Sequence, residues 1–225
     1  MLVVRALGIA VSFAGLTCAQ EPVSFPTPDG WTIHGDLYGT GERCVVLAHG
    51  GRFEKGSWER QARTLVTAGF RVLAIDLRGF GLSKEGPRSA RSDFGSPLDV
   101  VAAVRYLHAN GAKTVAVVGA SMGGDAAEEA LGEVKPGEID RVVLLAHGAY
   151  TAPEKLKGRK LFIVSRDDLG SGDIPRLGKI RAQYEKAPDP KKLVVLEGSA
   201  HAQFIFQTDQ GERLMREILS FLLEP

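Results

Sequence analysis

Cysteine is scarce in this 225-residue sequence, which contains only two. Cys18 lies near the N-terminus and Cys44 lies within an apolar run, so we expect neither an internal disulfide framework nor a cysteine–histidine metal site. Instead, Cys44 is predicted to be a small buried side chain. Neither sign of charge is in large excess, because the sequence has 28 Lys and Arg residues and 27 Asp and Glu residues. This balance argues against nucleic acid as a partner and favours a small molecule.

The longest apolar run lies at the N-terminus and is too short to cross a bilayer. In this region Arg5 is followed by the apolar run ALGIAVSFAGL and then by TCAQ, whose Ala is residue 19. A spanning helix needs about 20 apolar residues, so no stable membrane anchor is expected. The pattern is typical of a signal peptide cleaved after Ala19, which predicts a secreted or periplasmic protein. The alternatives are a buried N-terminal strand or helix, and lipid attachment at Cys18, although Gly15 stands where the lipoprotein pattern has an aliphatic residue.

The remaining chain, residues 20–225, has the length of one domain. Its first stretch, PVSFPTPDGWTIHGDLYG, predicts two strands joined by a turn at Pro-Asp-Gly. Six short segments then alternate with helical patterns and are nearly continuous in apolar residues, as strands of a covered parallel sheet are. These segments are residues 44–48, 71–75, 114–118, 141–145, 160–164 and 192–196. The sequence therefore predicts an α/β protein built as a three-layer sandwich around a mostly parallel sheet.

Helices are predicted from apolar stripes at helical spacing, around residues 58–66, 100–108 and 214–222. The second of these helices has a marked start. Ser96 is its predicted N-cap, Pro97 suits the first helical position, and Asp99 complements the helix dipole.

A lone serine between small residues follows one of the predicted strands. Residues 119–123, GASMG, match G-x-S-x-G, directly follow strand 114–118 and precede the helical run MGGDAAEEAL. In this strand–turn–helix context, a nucleophile elbow presents its serine, and the glycines leave room for the sharp turn. Ser121 is therefore a candidate nucleophile. The alternative interpretation is a glycine-rich turn with a capping serine.

Two further segments, together with GASMG, resemble the α/β-hydrolase family. LAHGG, residues 47–51, ends a predicted strand with a His-Gly pair, and DLRGFGLS, residues 76–83, resembles the D-x-R-G-x-G-x-S signature of many esterases, lipases and peptidases. The resemblance covers essentially all of residues 20–225 and implies an α/β-hydrolase fold. It also implies an oxyanion hole formed by the backbone N–H groups of Gly51 and Met122.

The family resemblance also places a base and an acid beside the serine, whose hydroxyl needs a base to act at neutral pH. The family's histidine follows the last strand, where LEGSAHAQFIF contains His201, and His147 is the only serious competitor. FIVSRDD offers Asp167 and Asp168 as the acid. Family spacing, counted from the small residue at the end of the strand, favours Asp168, although Ser165 replaces the usual glycine there.

Other residues in these segments have less specific roles. His49, Asp76 and Arg78 are expected to fix loops through hydrogen bonds. Arg52 lies beside the predicted oxyanion loop, where a guanidinium can meet a substrate carboxylate or lie on the surface. Phe204, just past the candidate histidine, is expected to pack against its neighbours.

The sequence thus predicts a serine hydrolase that cleaves a carboxylic ester through an acyl-enzyme, without cofactor or metal. Ser121 attacks, His201 accepts its proton, and Asp168 orients the imidazole. The expected substrate is a small-molecule ester or acyl compound, in an open site, because the connection between the strands at 141–145 and 160–164 is too short for a full cap domain. The alternatives are a peptidase or thioesterase with the same triad, or a catalytically silent binding protein of the same fold.

Overall fold

Strand and helix positions follow the hydrophobic pattern closely. The computed structural model describes residues 20–87, 96–148 and 152–225, so the proposed signal peptide lies outside the described residues. The strands are β1 (Gln20–Pro26), β2 (Thr32–Tyr38), β3 (Arg43–Ala48), β4 (Arg71–Ile75), β5 (Thr114–Ala120), β6 (Arg141–Leu145), β7 (Arg159–Ser165) and β8 (Lys191–Leu196). Each of the six strands predicted after the first hairpin is observed with ends within two residues of the prediction.

Within the described ranges, five α-helices connect or follow these strands. They are α1 (Glu59–Thr67), α2 (Pro97–Ala109), α3 (Met122–Glu133), α4 (Arg176–Lys186) and α5 (Gly211–Leu223). Short 3-10 helices occur at Lys55–Trp58, Pro153–Lys155, Ser171–Asp173 and Ala202–Gln207. Within the three described ranges, no helix combines the length and hydropathy needed to cross a membrane.

The described strands form one eight-stranded sheet with the order β1-β2-β4-β3-β5-β6-β7-β8. The strand β2 pairs antiparallel with both β1 and β4, and all other neighbours are parallel. The parallel strands therefore end at the same edge, and the loops that follow them meet there. In open parallel sheets this edge is where ligands bind.

Side chains that alternate along β3 show why its sequence is apolar on both faces. Cys44 and Val46 join a core cluster with residues of α2, α3 and α4, whereas Val45 and Leu47 join a second cluster with residues of α1 and α5. The sheet is thus covered on both faces, which confirms the three-layer prediction. Cys44 is buried as predicted, and burial raises the pKa of its thiol.

The start of α2 confirms the predicted cap and adds a contact that the sequence did not reveal. Ser96 Oγ accepts the backbone N–H of Leu98 at 3.3 Å, and Pro97 is the first helical residue. Asp99 lies in the first turn, as the dipole argument predicts. Its buried carboxylate also accepts the backbone N–H and the Nε–H of Arg78, each at 2.8 Å. Asp99 therefore joins α2 to the loop after β4.

The connection between β6 and β7 contains little regular structure. In its described part, the only helical element is the 3-10 turn Pro153–Lys155. Residues 149–151 of this connection lie outside the description. The described segment therefore contains no cap domain above the sheet edge.

Candidate active site

Ser121 occupies the sharp turn between β5 and α3. Its backbone has φ 49° and ψ −117°, a conformation that costs about 1–3 kcal/mol for a residue with a side chain. Two hydrogen bonds hold the turn, from Ser121 N–H to the Leu145 carbonyl at 2.8 Å and from Asp125 N–H to the Ser121 carbonyl at 2.9 Å. The Asp125 carboxylate accepts the Gly148 N–H, and burial raises its pKa to about 6.

The glycines of GASMG are required by close backbone approach. A Cβ atom on Gly119 would lie 2.2 Å from the Gly123 carbonyl oxygen, and one on Gly123 would lie 2.4 Å from the Ala48 carbonyl oxygen. No side chain fits at either distance. The turn can therefore bring α3 against β3 and β5 only when residues 119 and 123 are both glycine.

Three side chains from separate loops meet at the carboxyl edge of the sheet. His201 Nε2 lies 2.9 Å from Ser121 Oγ, and His201 Nδ1 lies 2.8 Å from Asp168 Oδ2. The Asp168 side chain is 1% exposed and that of His201 is 30% exposed. With Nδ1–H donated to the carboxylate, Nε2 is the nitrogen that can accept the serine proton. The structure thus brings together the three residues predicted to form the triad.

The two candidate aspartates occupy different environments. Asp167 is exposed, whereas Asp168 is buried against His201, and Arg176 Nε lies 3.5 Å from the other carboxylate oxygen of Asp168. Ser165, at the end of β7, donates its hydroxyl to the Ala200 carbonyl at 2.7 Å. The serine that replaces the family's usual glycine therefore ties the acid loop to the residue that precedes the histidine.

Gly51 and Met122 lie close to each other beside the serine. A Cβ atom on Gly51 would be 3.8 Å from Met122 Sδ, and one on Gly50 would be 3.5 Å from Ser121 Cβ. Among the described residues, no acceptor takes the backbone N–H of Gly51 or of Met122. Met122 is the first residue of α3, where unpaired N–H groups and the helix dipole favour negative charge. Both N–H groups are therefore available to an anionic oxygen.

Gln203 is a residue that the sequence analysis missed. Its Oε1 accepts the Gly50 N–H at 2.8 Å, and its Nε2 donates to Ser57 Oγ at 2.8 Å. The side chain is buried, so it links the histidine loop to the turn that contains Gly51. The only signal in the sequence is a polar residue within the otherwise apolar segment AQFIF.

His49 and Asp76 fix loops, as predicted. His49 Nε2 accepts the Leu77 N–H at 3.1 Å while Nδ1 donates to the next carbonyl, so the imidazole is neutral, and burial lowers its pKa. The Asp76 carboxylate accepts the backbone N–H groups of Lys55 and Leu82 at 2.8 and 2.9 Å. Neither side chain contacts the candidate serine in these interactions.

Arg78 also has the predicted role of a loop-fixing partner. Its buried guanidinium pairs with Asp29 at 2.7 Å and with Asp99 at 2.8 Å. Nearby, a Cβ atom on Gly81 would lie 2.1 Å from the Asp76 carboxylate. The D-x-R-G-x-G-x-S segment is therefore a tightly packed loop held by carboxylates.

A cavity of about 490 Å³ opens in front of the serine. The rings of Phe53 and Phe204 line it, with their centroids 4.8 Å apart, so Phe204 packs against a neighbour as predicted and also lines the cavity. Leu169 also lines the cavity and is 50% exposed. In the part of the chain that the structure describes, no group of three or more His, Cys, Asp or Glu side chains is arranged to hold a metal ion.

His147, the competing histidine, lies in a separate buried cluster with Gln183 and Glu128. It is fully buried after β6, its Nε2–H donates to Gln183 Oε1, and Glu128 Oε2 lies 3.6 Å from Nε2. Burial lowers the pKa of the imidazole to about 4. His147 is therefore a neutral structural residue near neutral pH.

Solved structures show which class of protein this architecture defines. An esterase from Pyrococcus furiosus superposes with a TM-score of 0.75 at 21% identity, over 92% of this chain and 93% of its own. Dienelactone hydrolase from Anabaena variabilis superposes with a TM-score of 0.73 at 22% identity, over 91% and 97%. At such low identities the superpositions establish the fold alone. The protein therefore has the α/β-hydrolase fold.

The family is defined by sequence. The model of the family described as serine aminopeptidase, S33, matches residues 40–165, more than half of the chain, and the protein belongs to this family of hydrolases. A Synechocystis sp. protein that carries the name non-heme chloroperoxidase is 36% identical over 103 residues, which are 45% of this chain. The match covers 36% of that relative's length.

Proposed function

We propose that the protein is a serine esterase that cleaves small carboxylic esters through an acyl-enzyme. The observation that carries this proposal is the continuous hydrogen-bonded series from Ser121 Oγ through His201 to Asp168. Ser121 attacks the ester carbonyl carbon as His201 Nε2 takes its proton. Asp168 holds Nδ1–H and stabilises the imidazolium. The imidazolium then protonates the departing alcohol oxygen.

The tetrahedral intermediate places a negative charge on the former carbonyl oxygen. The N–H groups of Gly51 and Met122 are proposed to donate to this oxygen, because both lie beside the serine and neither has an acceptor among the described residues. Such preorganised donors stabilise the transition state more than the ground state. Water activated by the neutral His201 then attacks the acyl-enzyme and releases the acid.

The shape of the site supports a small substrate. The cavity of about 490 Å³ is of the size that holds a small molecule. The described part of the β6–β7 connection provides no lid that must open before an ester enters. We therefore propose short-acyl or otherwise small soluble esters rather than emulsified long-chain triglycerides.

Aminopeptidase activity is the second candidate, because the family description names it. An aminopeptidase must bind the α-ammonium group of its substrate, for which a carboxylate is the natural partner. The described residues that line the cavity include no Asp or Glu, and their permanent charge is the cation of Arg52. This lining favours an ester over a peptide N-terminus.

Parallel assays of the purified protein test the proposal. We expect hydrolysis of 4-nitrophenyl acetate, little hydrolysis of 4-nitrophenyl palmitate and none of leucine 4-nitroanilide. Rapid cleavage of the nitroanilide with a negligible ester rate would establish the aminopeptidase alternative. The matched controls are Ser121→Ala, expected to lose at least about 10³-fold in turnover, and Ser199→Ala, an exposed serine of the histidine loop, expected to keep full activity.

A further inference from the structure

The cavity in front of the candidate nucleophile has an unbalanced charge. Arg52 is the only permanently charged residue among the described residues that line it, and no Asp or Glu accompanies it. Within the described chain, no hydrogen bond or ion pair engages the Arg52 guanidinium, whereas Arg78 and Arg141 bind carboxylates. The site therefore presents a cation without a partner.

Arg52 is attached to a well-fixed part of the site. It directly follows Gly51, and the preceding residue, Gly50, is held through its N–H by Gln203 and through its carbonyl by His49. The turn that leads to Arg52 is therefore held beside Ser121. Because Arg52 and Ser121 line the same cavity, an anionic group on a substrate can bind the guanidinium while the ester carbonyl lies at the nucleophile.

Next to this cation is an apolar wall. Phe53 follows Arg52 in the chain and contacts Phe204, and Leu169 adds an exposed aliphatic side chain to the same cavity. A ligand that satisfies both features has an apolar or aromatic body and an anionic end.

We propose that the site selects small esters that carry a carboxylate, which Arg52 binds while the apolar body lies against Phe53 and Phe204. This inference rests on the proposed esterase function. A guanidinium matches a planar carboxylate through two parallel hydrogen bonds. A phosphate, with its larger charge, generally recruits several cations or N–H groups, and the described lining offers only one guanidinium.

A matched pair of acetate esters tests the proposal. The anion 4-acetoxybenzoate and the neutral 4-acetoxybenzamide have nearly the same shape and each releases a phenol. We expect the wild-type protein to favour the anion in kcat/KM, and Arg52→Gln to lower kcat/KM for the anion about tenfold, chiefly through KM. The rate with the amide is expected to change less than about twofold, since it lacks the charge.

Two further variants separate local binding from the general field of the protein. Arg60→Gln removes the same charge from an exposed position on α1, outside this cavity, and is expected to leave the anion-to-amide ratio unchanged. Arg52→Glu is expected to reverse the preference. Equal ratios in the wild type and Arg52→Gln would overturn the carboxylate proposal while normal cleavage of the amide ester upheld the esterase. Failure to cleave either ester would overturn both.

Discussion

His201 and His147 both follow parallel strands of one sheet, and both contact polar side chains, yet their surroundings differ. His201 lies between Ser121 and Asp168 with its side chain 30% exposed to the cavity. His147 is fully buried, donates to Gln183 and lies near Glu128. A histidine with a nearby acid is therefore not enough to define a candidate catalytic pair. A hydroxyl within reach and access for a substrate distinguish the two clusters.

The buried cluster has a structural part in the site. His147 Cβ would lie 2.8 Å from a Cβ atom on Gly124, so the histidine packs directly against the first turn of α3. Gln183 donates in turn to Glu128 on the same helix. These contacts join α4 and the end of β6 to the helix that begins after Ser121. The buried histidine packs against the helix that follows the elbow, whereas His201 lines the cavity in front of Ser121.

Replacing the candidate acid gives the largest expected effect in the cluster of Ser121, His201 and Asp168. Asp168→Asn is expected to lower turnover about 10⁴-fold, because the imidazole loses the carboxylate that fixes its tautomer and supports its charge. Asp167→Asn is the control, since this neighbouring carboxylate is exposed, and it is expected to stay close to wild type. Steady-state kinetics on a short ester measure both. A large loss in Asp167→Asn with full activity in Asp168→Asn would reverse the assignment.

Acid titration tests the buried cluster of His147, Gln183 and Glu128. The pKa of His147 is lowered from 6.5 to about 4 by burial, so the unfolded chain binds the extra proton and stability falls as pH drops through this window. In His147→Gln this loss is absent. The stability advantage of the wild type over the variant is therefore expected to shrink by about 2 kcal/mol between pH 7 and pH 5. Urea unfolding at each pH measures the difference, and a pH-independent difference would contradict the account.

The smallest effect is expected at two equally buried glutamines. Gln203 lies beside the candidate triad, and Gln183 lies in the buried cluster with His147. Gln203→Met removes the acceptor of the Gly50 N–H and is expected to lower kcat about tenfold with little change in KM, because the neighbouring oxyanion donor loses its alignment. Gln183→Met, in the buried cluster, is expected to lower stability while kcat stays within about twofold of wild type. Equal losses of kcat in both variants would show that Gln203 acts only through general stability.

The parts of the fold that sequence could predict are those with a local physical cause. Nearly continuous apolar runs placed the strands, because a sheet covered on both faces buries every side chain. Ser121 was identifiable because a strand, a glycine-flanked serine and a helical run are adjacent in the chain. The cap at Ser96 is equally local, since its partner is two residues away.

Contacts between distant segments were not predictable from these patterns. Gln203 and Gly50 are 153 residues apart, and Asp99 and Arg78 are 21 residues apart, so only the folded sheet brings them together. The same holds for Phe204, which lines the cavity together with Phe53, a residue of a distant loop that its ring contacts. The catalytic roles of Ser121, His201 and Asp168 stay predictions until activity is measured, and the signal peptide lies outside the described residues.

Covalent labelling is the most direct test of Ser121 as the nucleophile. Intact and peptide mass spectrometry after treatment of the folded protein with a fluorophosphonate would locate the attacked atom, because the activated serine displaces fluoride and keeps the phosphonyl group. We expect one adduct, on the peptide that contains Ser121, and none on the correctly folded Ser121→Ala variant. An unlabelled Ser121 in folded wild-type protein, or equal labelling of the variant, would contradict it.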